Sequence, residues 1–216
     1  MLGHDLRNPL TAVSLGVELL RDAPDLPRRL LTNVDRLTHS VARMRHLIDD
    51  VLDFARGQLS DGIPVTLQPM SFEGLCNQMV AELSDAYPGR KIAVVVEGDT
   101  QGLWDPARLA QVVSNLVGNA LQHCKLDPIE LHLYGDPAKV TLQVRNAGTI
   151  DEHMLSRLFE PFQRGDSHAS GLGLGSYIVR EIVRAHGGTV IAKADQSLGQ
   201  TAFIVELPRQ PPGPTV

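Results

Sequence analysis

The 216-residue chain has little cysteine, only Cys76 and Cys124, and few aromatic rings, 4% of residues. Two cysteines without metal-ligand spacing give neither a disulfide framework nor a thiolate zinc site. They suit small hydrophobes in a reducing compartment. The scarcity of rings points to cores packed from aliphatic seams. Positive charge is not in excess: 20 Lys and Arg against 25 Asp and Glu leave a net −5. No overall basic field therefore invites nucleic acid. No apolar run approaches the roughly 20 residues of a membrane span, and no charged-then-apolar leader opens the chain. Neither a transmembrane span nor a signal peptide is expected here, and this portion is expected in the cytoplasm. What is present is ordinary globular composition, 43% hydrophobic and 21% charged, with room for one large domain or two small ones.

The hydrophobic period differs between the two ends of the chain. Leu6, Leu10, Val13, Val17 and Leu20 recur at steps of four and three, which predicts a heptad helix. Ala23-Pro24-Asp25-Leu26-Pro27 breaks it. A second seam follows through Leu30, Val34, Leu37, Val41, Met44, Ile48, Val51 and Ala55, with Gly57 as its expected stop. Two such helices form a hairpin. One hairpin cannot bury both seams well, so pairing with a second copy into a four-helix bundle, a homodimer, is expected. From about Leu67 the texture is mixed. Helices are expected over 71–83, from the Asp105-Pro106 cap to about 122, and over 176–186; strands are expected over 92–97, 129–134, 140–145, 190–194 and 201–207. The fold class is therefore α+β: a helical hairpin over 1–60, a linker over 61–66, and an α/β sandwich over 67–208 with helices on one face of a single sheet. The Pro-rich end, 209–216, is expected to be disordered.

Three segments carry chemistry. His4-Asp5-Leu6-Arg7-Asn8-Pro9-Leu10 puts His4 and Asn8 one turn apart on a solvent-facing side. Asp5 beside the imidazole can fix its tautomer and leave the other nitrogen to attack. An ordinary surface histidine is the competing reading. Asn115-Leu116-Val117-Gly118-Asn119-Ala120 stacks two amides on one helix face, able to offer oxygen to Mg²⁺ and N–H to phosphate; two surface asparagines are the plainer alternative, at some cost in helix propensity. Gly171-Leu172-Gly173-Leu174-Gly175 opens a helix, where backbone N–H groups and the helix dipole favour phosphate. The polar stretch Gln163 to Ser170 ahead of it rules out the dinucleotide fingerprint, which needs a strand there.

In this order the segments resemble a sensor histidine kinase of the two-component type. His4 to Leu10 is similar to its H box, Asn115 to Ala120 to its N box and Leu158-Phe159-Glu160-Pro161-Phe162 to its F box. Gly171 to Gly175 is similar to its second glycine box, and Gly199-Gln200-Thr201-Ala202-Phe203 to its closing strand entry. The resemblance covers roughly residues 1–208. It implies a dimerisation and phosphotransfer hairpin followed by an ATP-binding domain, with His4 accepting the γ-phosphoryl group of ATP and passing it to an aspartate of a response-regulator receiver domain. It further implies Asp5 as the partner orienting His4, Asn119 as the Mg²⁺ ligand with Asn115 assisting near the phosphates, and Gly171, Leu172, Gly173, Leu174 and Gly175 as the phosphate loop. Thr201 is placed with the nucleotide site, and Asn8 in a water-positioning role that dephosphorylates the regulator; where the family often has a lysine after the N box, His123 or Lys125 is the candidate phosphate contact, with a structural His123 as the alternative. Related hydrolysing ATPases carry a glutamate where this chain has Asn115, a poor base.

One box departs from the pattern. Where the family has Asp-x-Gly-x-Gly, this chain has Asn146-Ala147-Gly148-Thr149-Ile150. The Asn146 carbonyl oxygen is expected to accept from the adenine amino group, with its NH₂ free for a ring nitrogen or water. Losing the charge weakens such a contact by about 1 kcal/mol. Phe159 and Phe162 are either lid hinges or core rings, and His39 and His46 are expected on a solvated face. The chain is expected to be the output portion of a longer sensor, whose full-length form can carry a membrane tether. The alternative function is a catalytically silent dimeric docking module for a receiver domain.

Overall fold

Two periodicities become two compact units, Met1–Gln58 and Leu59–Val216. The computed structural model describes residues 2–23, 27–59, 62–124, 128–163 and 172–211, with the side chains of 2–7, 28, 29, 39 and 59 outside the description. The first unit is α1 (Leu2–Arg21) and α2 (Arg28–Leu59). Leu10 and Val17 of α1 are buried with Val34 and Val41 of α2, and Ile48 packs against them. The alternate seam positions stay open: Val13 and Leu20 are each 50% exposed, Leu37 48%, and Met44 and Val51 44%. One hairpin thus uses half of its heptad pattern. Gly57 does not end α2, which runs on to Leu59; a single helical glycine costs only about 1 kcal/mol.

The second unit is built from β1 (Gln68–Ser71), α3 (Phe72–Ala86), β2 (Ile92–Glu97), β3 (Gln101–Trp104), α4 (Pro106–His123), β4 (Ile129–Gly135), β5 (Lys139–Ala147), α5 (Glu152–Arg157), α6 (Gly175–Ala185), β6 (Thr189–Asp195) and β7 (Gln200–Pro208). Five strands form one sheet in the order β2-β4-β5-β7-β6. The β2–β4 pair is parallel and the other three are antiparallel. Strict alternation puts Ile129, Leu131, Leu133, Val140, Leu142, Val144, Val205 and Leu207 wholly inside, on the face that the apolar stripes of α4 and α6 cover. The opposite face carries Thr141, Gln143 and Arg145, all half-buried.

The local signals explain most boundaries. Ser71 caps α3, its Oγ accepting from Gly74 N–H at 3.1 Å, and Asp105 caps α4, its Oδ1 accepting from Arg108 N–H at 3.1 Å, with Pro106 behind it. Three elements lie beyond the sequence expectation: β1, β3 and α5. The first two have four residues each, include Pro69 and Gly102, and pair only with each other, so neither shows a readable alternation. Their product is the seat of Trp104, which is fully buried and donates its indole N–H to the Pro208 carbonyl at 2.8 Å. Gly102 lies against that ring, where a Cβ would overlap it.

The chain stays tied down past β7. Arg209, assigned to the loose tail by composition, donates from Nε to the Asp136 carbonyl at 2.7 Å and from its guanidinium to the Asp99 and Gln101 carbonyls; 212–216 lie outside the described residues. Both cysteines are buried thiols outside any disulfide, and burial pushes the Cys76 thiol up to about 12, as an inert hydrophobe requires. Among the described residues no helix is long and apolar enough to cross a membrane.

Candidate active site

The second unit brings its two polar motifs together where α4 passes the start of α6. The inward stripe of α4 (Leu109, Val112, Val113, Leu116, Val117, Ala120) is buried, which fixes the rotation of the helix and leaves Asn115 and Asn119 half-buried at its margin. The Asn115 Nδ2 is shielded from solvent and has no hydrogen-bond partner among the described residues. Such an orphan donor costs about 1 to 3 kcal/mol unless a ligand satisfies it. Its Oδ1 faces Gly175: a Cβ there would stand 3.3 Å from that oxygen. Gly175 is the first residue of α6, whose N-cap, Leu174, makes no side-chain capping bond. The first-turn N–H groups of α6 therefore lack a side-chain cap beside an unpaired amide N–H, a donor set suited to an anion.

The glycines have steric reasons. Gly173 has φ +69°, and a Cβ on it would overlap the Gln163 carbonyl, so the end of the Phe159–Phe162 box lies directly on the glycine loop. Phe162 itself has φ +63° and is 57% exposed, so it is no core ring; Phe159 is half-buried. Leu172 is half-buried and Leu174 buried, while Gly171 and the segment 164–170 lie outside the described residues. Asn119 offers an amide oxygen one turn beyond Asn115, and His123 lies exposed one turn further, at the end of α4.

A second cluster forms where β5 ends and β7 begins. Asn146 pairs in register with Thr201, and both are buried. The Thr201 hydroxyl donates to the Gly148 carbonyl at 2.8 Å, and Gly148, at φ +98°, donates its N–H to the Gly199 carbonyl at 2.7 Å. One N–H of the Asn146 NH₂ donates to the Ala147 carbonyl at 2.8 Å, and the second is the one left for a ring nitrogen or water. That bond orients the amide and leaves Oδ1 as an acceptor, able to take a hydrogen bond from an exocyclic amino group.

In the first unit, His4 and Asp5 lie on α1 with side chains outside the description, and Asn8 is exposed one turn after His4. Pro9 sits inside the helix and has no N–H for the carbonyl four residues before it. Among the described residues no three His, Cys, Asp or Glu side chains converge as a metal site.

Sequence reasoning missed one functional-looking residue. His186 ends α6 fully buried, its Nδ1 on the Ile182 carbonyl at 2.8 Å and its Nε2 accepting from Asp105 N–H at 3.0 Å. The only signal was its place before Gly187-Gly188, read simply as a helix stop.

A family model described as His Kinase A (phospho-acceptor) domain matches residues 1–60. A model described as Histidine kinase-, DNA gyrase B-, and HSP90-like ATPase matches residues 104–211. Among curated relatives, a bacteriophytochrome of Pseudomonas aeruginosa is 35% identical over 88% of this chain and 26% of its own length. The probable sensor histidine kinase TcrY of Mycobacterium tuberculosis is 34% identical over 95% of this chain and 44% of its own. Full-length ShkA in complex with AMPPNP has a similar structure, with TM-score 0.76 and 31% identity, over 98% of this chain and 45% of that one. The chain thus spans between a quarter and a half of the length of these proteins.

Proposed function

Because this chain belongs to the sensor histidine kinase family of two-component signalling, with phospho-acceptor and ATPase regions both present, we propose that it phosphorylates His4 from ATP and passes the group to an aspartate of a response-regulator receiver domain. A ring nitrogen of His4 forms the new N–P bond as the bond from the γ-phosphorus to the β–γ bridging oxygen breaks, and ADP leaves with that electron pair. In the second step the regulator carboxylate takes the phosphoryl group and the imidazole is restored. Asp5 orients the ring and raises its basicity. Residues 1–60 act as the dimerisation and phosphotransfer unit and 67–208 as the ATP-binding unit, in the cytoplasm.

The observation that carries this reading is the unpaired, shielded Nδ2 of Asn115 beside the start of α6. It supports Asn115 and the loop of Gly171, Leu172, Gly173, Leu174 and Gly175 as the polyphosphate cradle, with His123 at its margin. Asn119 would hold Mg²⁺, which when bound neutralises charge on the phosphate oxygens. Asn146, Gly148 and Thr201 form the adenine end. An amide at position 115 is a poor base for activating water, which suits a histidine acceptor over futile hydrolysis. Asn8, exposed on the helix that carries His4, positions water for dephosphorylating the regulator.

The test is incubation of wild type and His4→Gln with γ-labelled ATP and Mg²⁺, followed by acid and alkali treatment. Label lost in acid, stable in alkali and absent from the variant is the expected result. Label of the opposite stability would make the chain a hydroxyl kinase. Failure to bind nucleotide at all would favour the silent docking module.

A further inference from the structure

The two helices that carry the phosphate-binding groups pack against each other, and two polar contacts mark the ends of that packing. One is Asn115 against Gly175, already described. The other lies at the far end of α6, where His186 accepts from the backbone N–H of Asp105 at the N-cap of α4. The intervals match. Ten residues of α4 separate Asp105 from Asn115, about 15 Å of helix, and eleven residues of α6 separate Gly175 from His186, about 16 Å. The helices therefore run antiparallel, tied at one end by His186 and meeting at the other around the candidate phosphate cradle.

The chemistry of this tie fixes the charge of the ring. A backbone N–H can only donate, so Nε2 must carry a lone pair, and Nδ1 holds the single proton and donates it to the Ile182 carbonyl. A second proton, on Nε2, would set N–H against N–H. Among the charged groups facing the ring, the Asp105 carboxylate favours that proton and the Arg108 guanidinium opposes it. The carboxylate is already engaged twice, accepting from Arg108 N–H through Oδ1 and from Thr66 N–H at 2.8 Å through Oδ2. Burial dominates and holds the ring's pKa below the ordinary histidine value.

We propose that neutral His186 is a positioning residue for nucleotide binding: it braces α6 against the N-cap of α4 and so sets the gap between the glycine loop and Asn115. Protonating it releases the brace and loosens the cradle, which makes nucleotide affinity fall in acid. The proposal rests on the nucleotide-binding reading above.

Two variants separate the two bonds of the ring. In His186→Gln the Oε1 reaches the place of Nε2 and still accepts from Asp105, while the bond to Ile182 is lost. In His186→Asn the Nδ2 stands where Nδ1 was and keeps Ile182, while the bond to Asp105 is lost. Each variant loses about one hydrogen bond, so a merely structural role would weaken both alike. ADP binding is measured by calorimetry on the full chain. The expected result at about pH 7.5 is affinity within about twofold of wild type for Gln, and about fivefold weaker for Asn. Between about pH 7.5 and pH 5.5 the wild type should lose affinity faster than His186→Gln, a comparison in which the titration of ADP itself cancels. Equal affinities for Asn and Gln, or a wild-type-to-Gln ratio that does not move with pH, would overturn the brace. If Asn does not fold, the pH comparison alone decides. Absence of ADP binding by the wild type would overturn the nucleotide reading, and the brace with it.

Discussion

Asn146 shows how one atom decides a site. The sequence reveals an amide where the family has a carboxylate, and from that follows a neutral acceptor for the adenine amino group. It does not reveal that one N–H of the NH₂ is already committed to the Ala147 carbonyl. The two facts pull Asn146→Asp in opposite directions. A carboxylate is the stronger acceptor, worth about 1 kcal/mol more toward an amino group, but it leaves the Ala147 carbonyl without its donor, at about 1 kcal/mol of stability. Nucleotide affinity should therefore rise about fivefold while the melting temperature falls. Calorimetric titration and thermal denaturation of the same preparation check both arms. A variant that binds no better would remove Asn146 from base recognition.

At the scale of the element, the hairpin divides a pattern that looks uniform in the sequence. Every seam residue lies at heptad spacing, yet Val34 and Val41 are buried within the hairpin while Leu37 and Met44, between and beyond them, are 48% and 44% exposed. Periodicity identifies the stripe, but which half faces the other helix of the same chain depends on how the two helices roll together. The exposed half, with Val13, Leu20 and Val51, would be the seam offered to a second copy in the proposed dimerisation unit. Leu37→Asp should therefore dissociate the dimer and leave the hairpin folded, whereas Val41→Asp should unfold it. Each leucine withdrawn removes about 1.5 to 3 kcal/mol of burial, twice over in a symmetric pair. Sedimentation with circular dichroism separates the two results, and a Leu37→Asp dimer as stable as wild type would discard this seam. The strands were legible on the same terms. β4, β5 and β7 alternate over seven to nine residues and were readable, while β1 and β3 exist through pairing across the chain and were not. The candidate site was legible as motifs, since caps and glycines are local. The contact of Asn115 with Gly175 was not, because sixty residues separate them.

Across the whole molecule the two units are expected to respond to protons in opposite senses. In the hairpin, burial first, then the neighbouring Asp53 and Asp49, raises Asp50 from 3.8 to about 7. A carboxyl whose folded pKa lies above its unfolded value stabilises fully below 3.8 and progressively less as pH rises toward about 7. In the ATP-binding unit, burial lowers His186 from 6.5. A histidine whose folded pKa is depressed contributes fully above 6.5, and that contribution is lost as pH falls through its folded pKa. Exposed Asp136 and Asp195 are also lowered from 3.8, but their effect lies in stronger acid. Calorimetric scans between about pH 5 and pH 7.5 should therefore show the transition of the ATP-binding unit moving down as acid is added and that of the hairpin moving up. His186→Gln should flatten the first trend, and Asp50→Asn the second. Both transitions moving together in wild type would mean that neither group governs the stability of its unit.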